Sequence, residues 1–266
     1  MLPVVDVPEL PEVDAAELRV LLDRVRRELA RPMLIFDADG TLWSGDVGFD
    51  VFTAALARRM FRDEVRESLA AEARGLGIPS SGDANMLAER LLDAFAEGAY
   101  EDGRAFAMMA WAFAGFSAEE MDDFARDVVR REELESRILG PVRNILTWAE
   151  EASVEVVICS ASPISIVNAG VHLLGIKPEQ VLAAAPEVSR AGKLLPRLAP
   201  PGLPYGEGKV SAIERARPGR PVLAGFGDSA GDAYFLRRAH LPVAVGPSPR
   251  LLEQASSIPG LVVLRT

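Results

Sequence analysis

The sequence predicts an α/β protein whose core is a doubly wound parallel sheet, with an all-helical segment inserted after the first strand. Short apolar runs without polar alternation, which suit strands buried on both faces, alternate with helical patterns along the chain. Between residues 47 and 139 the apolar positions follow helical spacing almost throughout. The predicted units are therefore 1–46, an N-terminal helix with the first strand; 47–139, the inserted helices; and 140–266, the rest of the sheet.

Composition and charge narrow the possible classes of function. The chain has 266 residues, of which 49% are apolar and 26% charged, and its formal net charge is −10. Such a composition is typical of a globular protein, and the excess of acids argues against binding to nucleic-acid backbones or anionic membranes. The single cysteine excludes an internal disulfide. Because we find neither a long apolar run nor a signal-peptide pattern, we expect a cytoplasmic protein without a membrane segment.

The predicted elements follow one another in a regular order. The first dozen residues indicate an extended lead-in, Asp14 and Glu17 indicate the start of a helix, and Met33–Phe36 is the first strand. In the inserted segment, turn signals separate candidate helices over 48–74, 83–99, 101–114 and 117–138. The later elements are a helix over 141–152, a strand over 154–159, a helix over 163–174, a strand over 181–183, a hairpin over 187–195, a helix from 208, a strand over 222–225, a helix from 231, a strand over 243–245, a helix from 249 and a strand over 261–264.

Polar side chains follow several predicted strands at the edge where open parallel sheets bind ligands. Asp37 and Asp39 follow the first strand, Ser160 follows the second, and Asp228 follows a later one. Lys209 begins the helix before that later strand, and it is one of only three lysines in the chain. Each residue type is common in turns when taken alone, but their coincidence at strand ends predicts one functional site.

Four short motifs carry a family resemblance. In order along the chain they are D-A-D-G-T (37–41), Ser160 after V-V-I-C, Lys209 in Y-G-E-G-K, and G-D-S-A-G-D (227–232). This set resembles the four motifs of the haloacid dehalogenase superfamily, and S-A-S-P with the helical insertion resembles its phosphoserine-phosphatase-like branch. The resemblance covers roughly residues 33 to 250 and implies a Rossmann-like core, a helical cap and a small phosphorylated substrate.

Two aspartates suit phosphoryl transfer. A carboxylate at the strand end, Asp37, can attack phosphorus and form an aspartyl-phosphate. Asp39 can protonate the departing oxygen and later deprotonate the hydrolytic water. In the family, ATP-driven pumps lack an acid at this second position and dehalogenases lack the pair. Asp39 therefore indicates phosphoester hydrolysis or phosphomutase chemistry.

A divalent cation is expected beside these acids, because two carboxylates would repel each other and a phosphate dianion. Mg²⁺ prefers oxygen ligands and few carboxylates. The resemblance implies Asp37, the backbone carbonyl of Asp39 and the side chain of Asp228 as its ligands. Asp232 is either a further ligand, a support for the ligands, or the cap of its helix.

The phosphate group requires donors and positive charge. Ser160 precedes a predicted helix start at Ser162-Pro163, and helix N-termini bind anions. Lys209 would neutralise charge on the equatorial oxygens in the transition state. Gly40 and Thr41 of the first motif complete the phosphate-binding set that the resemblance implies.

The residues that would contact the leaving group depart from the phosphoserine enzymes of the family. Those enzymes hold the substrate amine with an acid nine residues after the nucleophile, which is Asp46 here. They hold its carboxylate with an arginine, where an ungapped register places Met109 and leaves Arg104 out of register. Their S-G-G is S-A-S in this chain, and Gly231 stands in place of their Asn. We therefore expect a pocket that holds an amine or hydroxyl through Asp46 beside an apolar wall; the alternative is that this apolar stripe is simply the core of the cap.

Trp43 either contacts substrate or packs between the core and the insertion.

The leading interpretation is a Mg²⁺-dependent phosphomonoesterase acting on a small phosphorylated metabolite. The alternatives are phosphoserine phosphatase itself, a phosphotransferase or phosphomutase, and a non-catalytic module that binds a phosphorylated ligand.

Overall fold

A parallel sheet forms the centre of the protein. The computed structural model describes residues 10–266. Its strands are β1 (Glu12–Val13), β2 (Met33–Phe36), β3 (Glu155–Pro163), β4 (Val181–Ala184), β5 (Pro186–Val188), β6 (Leu194–Leu198), β7 (Val222–Gly227), β8 (Leu241–Val245) and β9 (Val262–Leu264). Seven of them form one sheet in the order β1-β9-β8-β7-β2-β3-β4, in which every neighbouring pair is parallel. The predicted fold class is confirmed.

Helices accompany this sheet in the described chain. They are α1 (Ala15–Arg26), α2 (Val47–Ala57), α3 (Asp63–Gly75), α4 (Ala84–Ala96), α5 (Asp102–Trp111), α6 (Ala118–Arg131), α7 (Leu134–Arg137), α8 (Gly140–Glu151), α9 (Ile164–His172), α10 (Glu207–Ala216), α11 (Ala233–Leu236) and α12 (Pro249–Leu252). No helix among residues 10–266 is long and apolar enough to cross a membrane.

Strand β2 is buried on both faces, as its unbroken apolar sequence predicts. Leu34 and Phe36 belong to one buried hydrophobic cluster, whereas Met33 and Ile35 belong to another. Because side chains alternate along a strand, the two clusters lie on opposite faces of the sheet.

The strand register aligns the carboxyl ends of β2, β3 and β7. Phe36 is paired with Ile158 of β3 and with Phe226 of β7, and the Phe36 and Phe226 rings stack with centroids 4.0 Å apart. Asp37 therefore leaves β2 next to the ends of both neighbouring strands.

The insertion between β2 and β3 consists of helices α2 to α7, followed by α8. One helix is predicted over 48–74, but the structure divides it into α2 and α3. The chain turns at Arg59, whose φ is 51°, and this left-handed conformation cannot continue a helix. The turn lets Phe61 enter the core, where its backbone N–H and C=O both bond to the Asn85 amide at 3.1 Å. The boundaries 47 and 139 of this unit stay a prediction.

The helix predicted over 117–138 also divides. Glu133 has a φ of 48° and separates α6 from α7. The start of α6 agrees with the sequence, because Ser117 and Glu120 form the predicted capping box.

The N-terminal region contains one element that sequence reasoning missed. Glu12–Val13 forms the edge strand β1 and pairs with β9 in parallel. A two-residue strand has no periodicity, so only the pairing reveals it. The rest of the predicted extended lead-in, residues 1–9, lies outside the described residues; the next helix, α1, begins at the predicted Asp14–Glu17 capping box.

The predicted hairpin forms from β5 and β6, and it contacts the helical insertion. The backbone N–H of Leu194 donates to the carbonyl of Phe116 at 2.8 Å, and that of Gly115 donates to the carbonyl of Leu194 at 3.0 Å. Lys193 pairs with Glu120 at 3.2 Å. The hairpin thus bonds to the turn between α5 and α6.

The Asn85 amide provides a test of the break between α2 and α3. Asn85→Ala leaves the two Phe61 backbone groups without partners, so we expect the free energy of unfolding to fall by about 1–3 kcal/mol in urea titrations. Glu89→Ala, at an exposed position of the same helix, should change it by less than about 0.5 kcal/mol. Equal effects of both variants would contradict this account of the turn.

Candidate functional site

The ends of β2, β3 and β7 bring most of the predicted site residues together. Asp37 follows β2, Ser160 lies within β3, and Asp228 follows β7. Lys209 reaches the same place from the first turn of α10. The site thus lies at the carboxyl edge of the sheet, where ligands of open α/β sheets bind.

Lys209 is the buried cation of the site. Its side chain is 3% exposed, and its Nζ lies 2.6 Å from Oδ1 of Asp37 and 2.6 Å from Oδ1 of Asp232. Burial lowers the pKa of Lys209, but the charges of Asp232 and Asp37 outweigh burial and raise it above its ordinary value. The ammonium group is therefore held charged between two carboxylates.

The carboxyl groups near Lys209 could carry more negative charge than this one ammonium group neutralises. Burial raises the pKa of Asp37 to about 7, and repulsion by Asp232 adds to the rise while Lys209 opposes it. Burial also raises the pKa of Asp228 to about 8, with further repulsion from Asp37 and Asp232. One lysine thus does not offset three neighbouring acids.

Asp37, Asp228 and Asp232 together could hold a metal ion. Each offers one carboxylate oxygen, and these oxygens lie within 4.8 Å of one another. Gly40 makes this spacing possible, because a Cβ built there would lie 2.5 Å from Oδ2 of Asp228. An oxygen-only donor set, short of positive charge, fits a hard divalent cation.

Asp39 is held separately from this group of acids. Its Oδ1 accepts hydrogen bonds from Nε1 of Trp43 at 2.8 Å and from the backbone N–H of Val47 at 2.7 Å. Its Oδ2 accepts a hydrogen bond from Ser162 at 2.6 Å. Burial and the charge of Asp46 raise the pKa of Asp39 to about 6, and the three hydrogen bonds limit the rise. The side chain of Asp39 is therefore oriented by donors rather than by the metal-binding group.

The predicted helix start at Ser162-Pro163 is wrong by one position, with a consequence for the site. The strand β3 runs through Pro163, which is itself the N-cap residue of α9 and provides no side-chain cap. The Ser162 hydroxyl is not used for capping and donates to Asp39 instead. The sequence did show that Ser162 replaces a glycine of the family's S-G-G motif. It could not show that the hydroxyl contacts Asp39, which is 123 positions earlier in the chain.

Asp232 organises the loop after β7. Its Oδ2 accepts hydrogen bonds from the backbone N–H groups of Asp228 and Ser229 and from the Ser229 hydroxyl. The helix predicted from Gly231 therefore begins as a 3₁₀ turn, Ala230–Asp232, before α11. Asp232 thus caps this turn and also pairs with Lys209.

The predicted phosphate-binding residues line the same edge. Ser160 is 1% exposed, and its Oγ accepts a hydrogen bond from the backbone N–H of Ser162 at 3.1 Å. The hydroxyl of Thr41 is buried and has no hydrogen-bond partner within the described part of the chain. The N–H groups of Gly40 and Thr41 donate within their own loop, to Gly45 and Ala38.

Of the residues predicted to contact the leaving group, Asp46 is exposed and Trp43 is not. Asp46 is the N-cap of α2, where its Oδ1 accepts from the backbone N–H of Phe49 at 2.7 Å. Trp43 is 0% exposed, and its ring lies against Gly170, where a Cβ would be only 2.8 Å away. Of the two alternatives for Trp43, the structure therefore favours packing: the ring lies against Gly170, and its N–H donates to Asp39.

Met109 and Arg104 lie within the helical insertion. Met109 is 4% exposed and belongs to the hydrophobic core, which favours the alternative that the apolar stripe is packing. Arg104 pairs with Glu72 at 2.6 Å, and its guanidinium lies over the Tyr100 ring. Both partners of Arg104 are residues of the insertion, not of the site.

Tyr205 is a residue near the site that sequence reasoning missed. Its ring contacts Gly231, where a Cβ would lie 2.9 Å from the ring, and its hydroxyl lies 3.3 Å from Oδ2 of Asp102 in α5. Its ring also meets Phe106 edge to face. Tyr205 thus joins the loop after β7 to the insertion. Gly231, which replaces the family's Asn, was the signal in the sequence, because the Tyr205 ring occupies the space that a side chain at 231 would fill.

Comparisons with solved structures agree with this architecture. A protein of unknown function from Bordetella pertussis Tohama I is 21% identical, with a TM-score of 0.67, over 89% of this chain and 99% of that one. A functionally unknown protein from Anaerococcus prevotii DSM 20548 is 15% identical, with a TM-score of 0.67, over 96% and 93% of the two chains. A phosphoserine phosphatase carrying a phospho-aspartyl intermediate analogue is 15% identical, with a TM-score of 0.51, over 88% and 93%. At these identities the likeness concerns the fold.

The search of curated proteins gave no match. A family model described as haloacid dehalogenase-like hydrolase matches residues 34–237, which is more than half of the chain. The matched region includes Asp37, Ser160, Lys209 and Asp228, so the model spans both the sheet and its candidate site. The chain belongs to the haloacid dehalogenase-like hydrolases.

Proposed function

We propose that this hydrolase is a Mg²⁺-dependent phosphomonoesterase that acts on a small phosphorylated metabolite through an aspartyl-phosphate. The observation that carries the proposal is the arrangement of two aspartates: Asp37 lies against a buried ammonium at 2.6 Å, and Asp39 is oriented by three donors. A phosphoserine phosphatase with a phospho-aspartyl intermediate analogue has a similar fold, which supports the same chemistry here.

In the proposed reaction, a carboxylate oxygen of Asp37 attacks phosphorus while the bond from phosphorus to the leaving-group oxygen breaks. Asp39, protonated, gives its proton to that oxygen as it departs. A water molecule then attacks the phosphorus, Asp39 takes the proton of this water, and the bond between Asp37 and phosphorus breaks. Asp39 thus acts as acid in the first step and as base in the second, so both steps depend on its orientation.

The metal would be held by Asp37, Asp228 and Asp232, with the backbone carbonyl of Asp39 as the further ligand that the family resemblance implies. When bound, Mg²⁺ supplies the positive charge that allows these carboxylates and a phosphate dianion to share the site. Without the metal, burial and mutual repulsion raise the pKa values of Asp37 and Asp228, and a bound cation would relieve this shortage of positive charge.

Phosphate would be held by Ser160 and Lys209, with the loop of Gly40 and Thr41 against it. Lys209 is already charged and buried, so its position needs little adjustment as charge develops in the transition state. The unpartnered Thr41 hydroxyl supplies a further polar group in this loop.

We infer that helices α2 to α7 form a cap over the site, within the boundaries 47–139, and that 1–46 and 140–266 form the core. The first N–H of α2, at Val47, bonds to Asp39, and Tyr205 contacts α5. The insertion therefore contacts the loops that carry the chemistry on two sides.

The leaving group is proposed to carry an amine or a hydroxyl that Asp46 binds. Asp46 is exposed at the first turn of α2, and only its Oδ1 is used for the helix cap. Arg104, the arginine nearest to the family's carboxylate clamp, is paired with Glu72, which weighs against a substrate with a free carboxylate.

The nucleophile assignment has a direct test. Asp37→Asn should lower the turnover of p-nitrophenyl phosphate by at least ~10³-fold, because the amide cannot form the acyl phosphate. EDTA should abolish the wild-type activity, and Mg²⁺ should restore it. Asp93→Asn, at an exposed site on α4, is the matched control and should keep full activity. Full turnover by Asp37→Asn would refute the mechanism.

A panel of phosphorylated amino acids, amino alcohols, sugars and nucleotides tests the leaving group. We expect an amino-alcohol or hydroxylated phosphate to have the highest kcat/KM, and Asp46→Asn to lower it by about tenfold because one charged contact is lost. Phosphoserine as the best substrate would identify the alternative, a phosphoserine phosphatase. Phosphoryl transfer to an added alcohol would indicate a phosphotransferase, and tight phosphate binding without turnover would indicate a binding module.

The raised pKa values predict how pH acts on the metal-free protein. Since the folded pKa values of Asp37 and Asp228 lie near 7 and 8, above the ordinary 3.8, the folded state binds more protons than the unfolded state between these limits. Stability should therefore fall as pH rises from about 5.5 to about 8. We expect the melting temperature in EDTA to drop by about 3 °C or more.

Mg²⁺ should raise the melting temperature more at the higher pH, where these carboxylates are ionised. Asp228→Asn is the control, and its melting temperature in EDTA should depend less on pH. Greater stability of the metal-free protein at pH 8 than at pH 5.5 would contradict the prediction.

A further inference from the structure

Among residues 10–266, the Ser162 hydroxyl is the one hydrogen-bond donor to the Asp39 side chain that comes from across the site. Trp43 and Val47, which bind the other oxygen of Asp39, lie on the loop and helix that directly follow it. Ser162 lies at the end of β3, and its Oγ is 2.6 Å from Oδ2. We propose that Ser162 is a positioning residue for Asp39, which fixes the direction in which this carboxyl group exchanges a proton with the leaving group and with water.

The hydrogen-bond capacity of the carboxylate supports this role. A carboxylate has about four acceptor positions, two on each oxygen. Oδ1 uses both of its positions on Trp43 and Val47, and Oδ2 uses one on Ser162. The one remaining position lies on Oδ2, so the Ser162 hydroxyl decides which lone pair of that oxygen carries the transferred proton.

Ser162 also connects the acid to the proposed phosphate site. Its backbone N–H donates to the Ser160 hydroxyl at 3.1 Å while its own hydroxyl donates to Asp39. Ser162 therefore couples the position of the Ser160 hydroxyl to that of the Asp39 carboxyl group. In the proposed reaction the leaving-group oxygen lies between phosphorus and Asp39.

Gly48 leaves the space in which the Ser162 hydroxyl lies. A Cβ built on Gly48 would be 2.7 Å from Oγ of Ser162 and 3.2 Å from its Cβ. Gly48 is in the first turn of α2, where alanine would favour the helix over glycine. Glycine fits here because a Cβ would collide with the Ser162 hydroxyl and would also lie 3.2 Å from Oδ1 of Asp46.

This inference rests on the proposed function, and a comparison of leaving groups tests it with the Mg²⁺-loaded enzyme. Because kcat/KM reports steps up to departure of the leaving group, an alkyl phosphate needs a well-aimed acid, whereas p-nitrophenyl phosphate needs little protonation. Ser162→Ala should lower kcat/KM for an alkyl phosphate by about tenfold and for p-nitrophenyl phosphate by less than about twofold.

Gly48→Ala is the second variant, because it keeps the hydroxyl and displaces it. We expect the same selective loss for the alkyl phosphate, and no additional loss when Gly48→Ala is combined with Ser162→Ala. Ser211→Ala removes an exposed hydroxyl that donates to the Glu207 carbonyl within α10, and it should leave both substrates unaffected.

Equal losses for both substrates in the two variants would overturn the positioning role while leaving the proposed phosphatase intact. Failure of the wild-type enzyme to hydrolyse any phosphate ester would instead overturn the proposed function, and this inference with it.

Discussion

The ammonium group of Lys209 between Asp37 and Asp232 is the interaction on which the site depends. A buried charge is tolerated only when paired and hydrogen-bonded, and Lys209 meets both conditions with two contacts of 2.6 Å. These contacts join α10, the end of β2 and the loop after β7. The same loop is closed by Asp232, whose other oxygen binds the backbone of Asp228 and Ser229. One cation thus sets the relative positions of three chain segments.

The site also requires that the backbone at two glycines come close to the carboxyl groups of the aspartates. Gly40 lies against Asp228 and Gly227 lies against Asp232, at distances where a Cβ would collide with the carboxyl groups. The acids can therefore converge although they repel one another. Burial, together with this repulsion, raises the pKa values of Asp37 and Asp228. The net charge of −10 describes the chain as a whole, whereas this site is defined by a local shortage of positive charge.

Local patterns predicted the parts of the fold that depend on local chemistry. The sequence showed the unbroken apolar run of β2, the capping boxes that begin at Asp14 and Ser117, and the polar residues that follow the strands. The break at Arg59 and the contact between Ser162 and Asp39 were not, because each depends on a partner far along the chain: Asn85 for the turn and the end of β3 for the acid.

The hairpin β5–β6 has a mechanical consequence for the insertion. Leu194 holds the backbone of both Gly115 and Phe116, so the helices are fastened at the hairpin as well as where the chain enters and leaves them. A hinged motion of α5 and α6 away from the sheet must either carry the hairpin along or break these two hydrogen bonds. Any such opening is therefore restrained by a hairpin that lies more than 70 residues further along the chain than the turn it contacts.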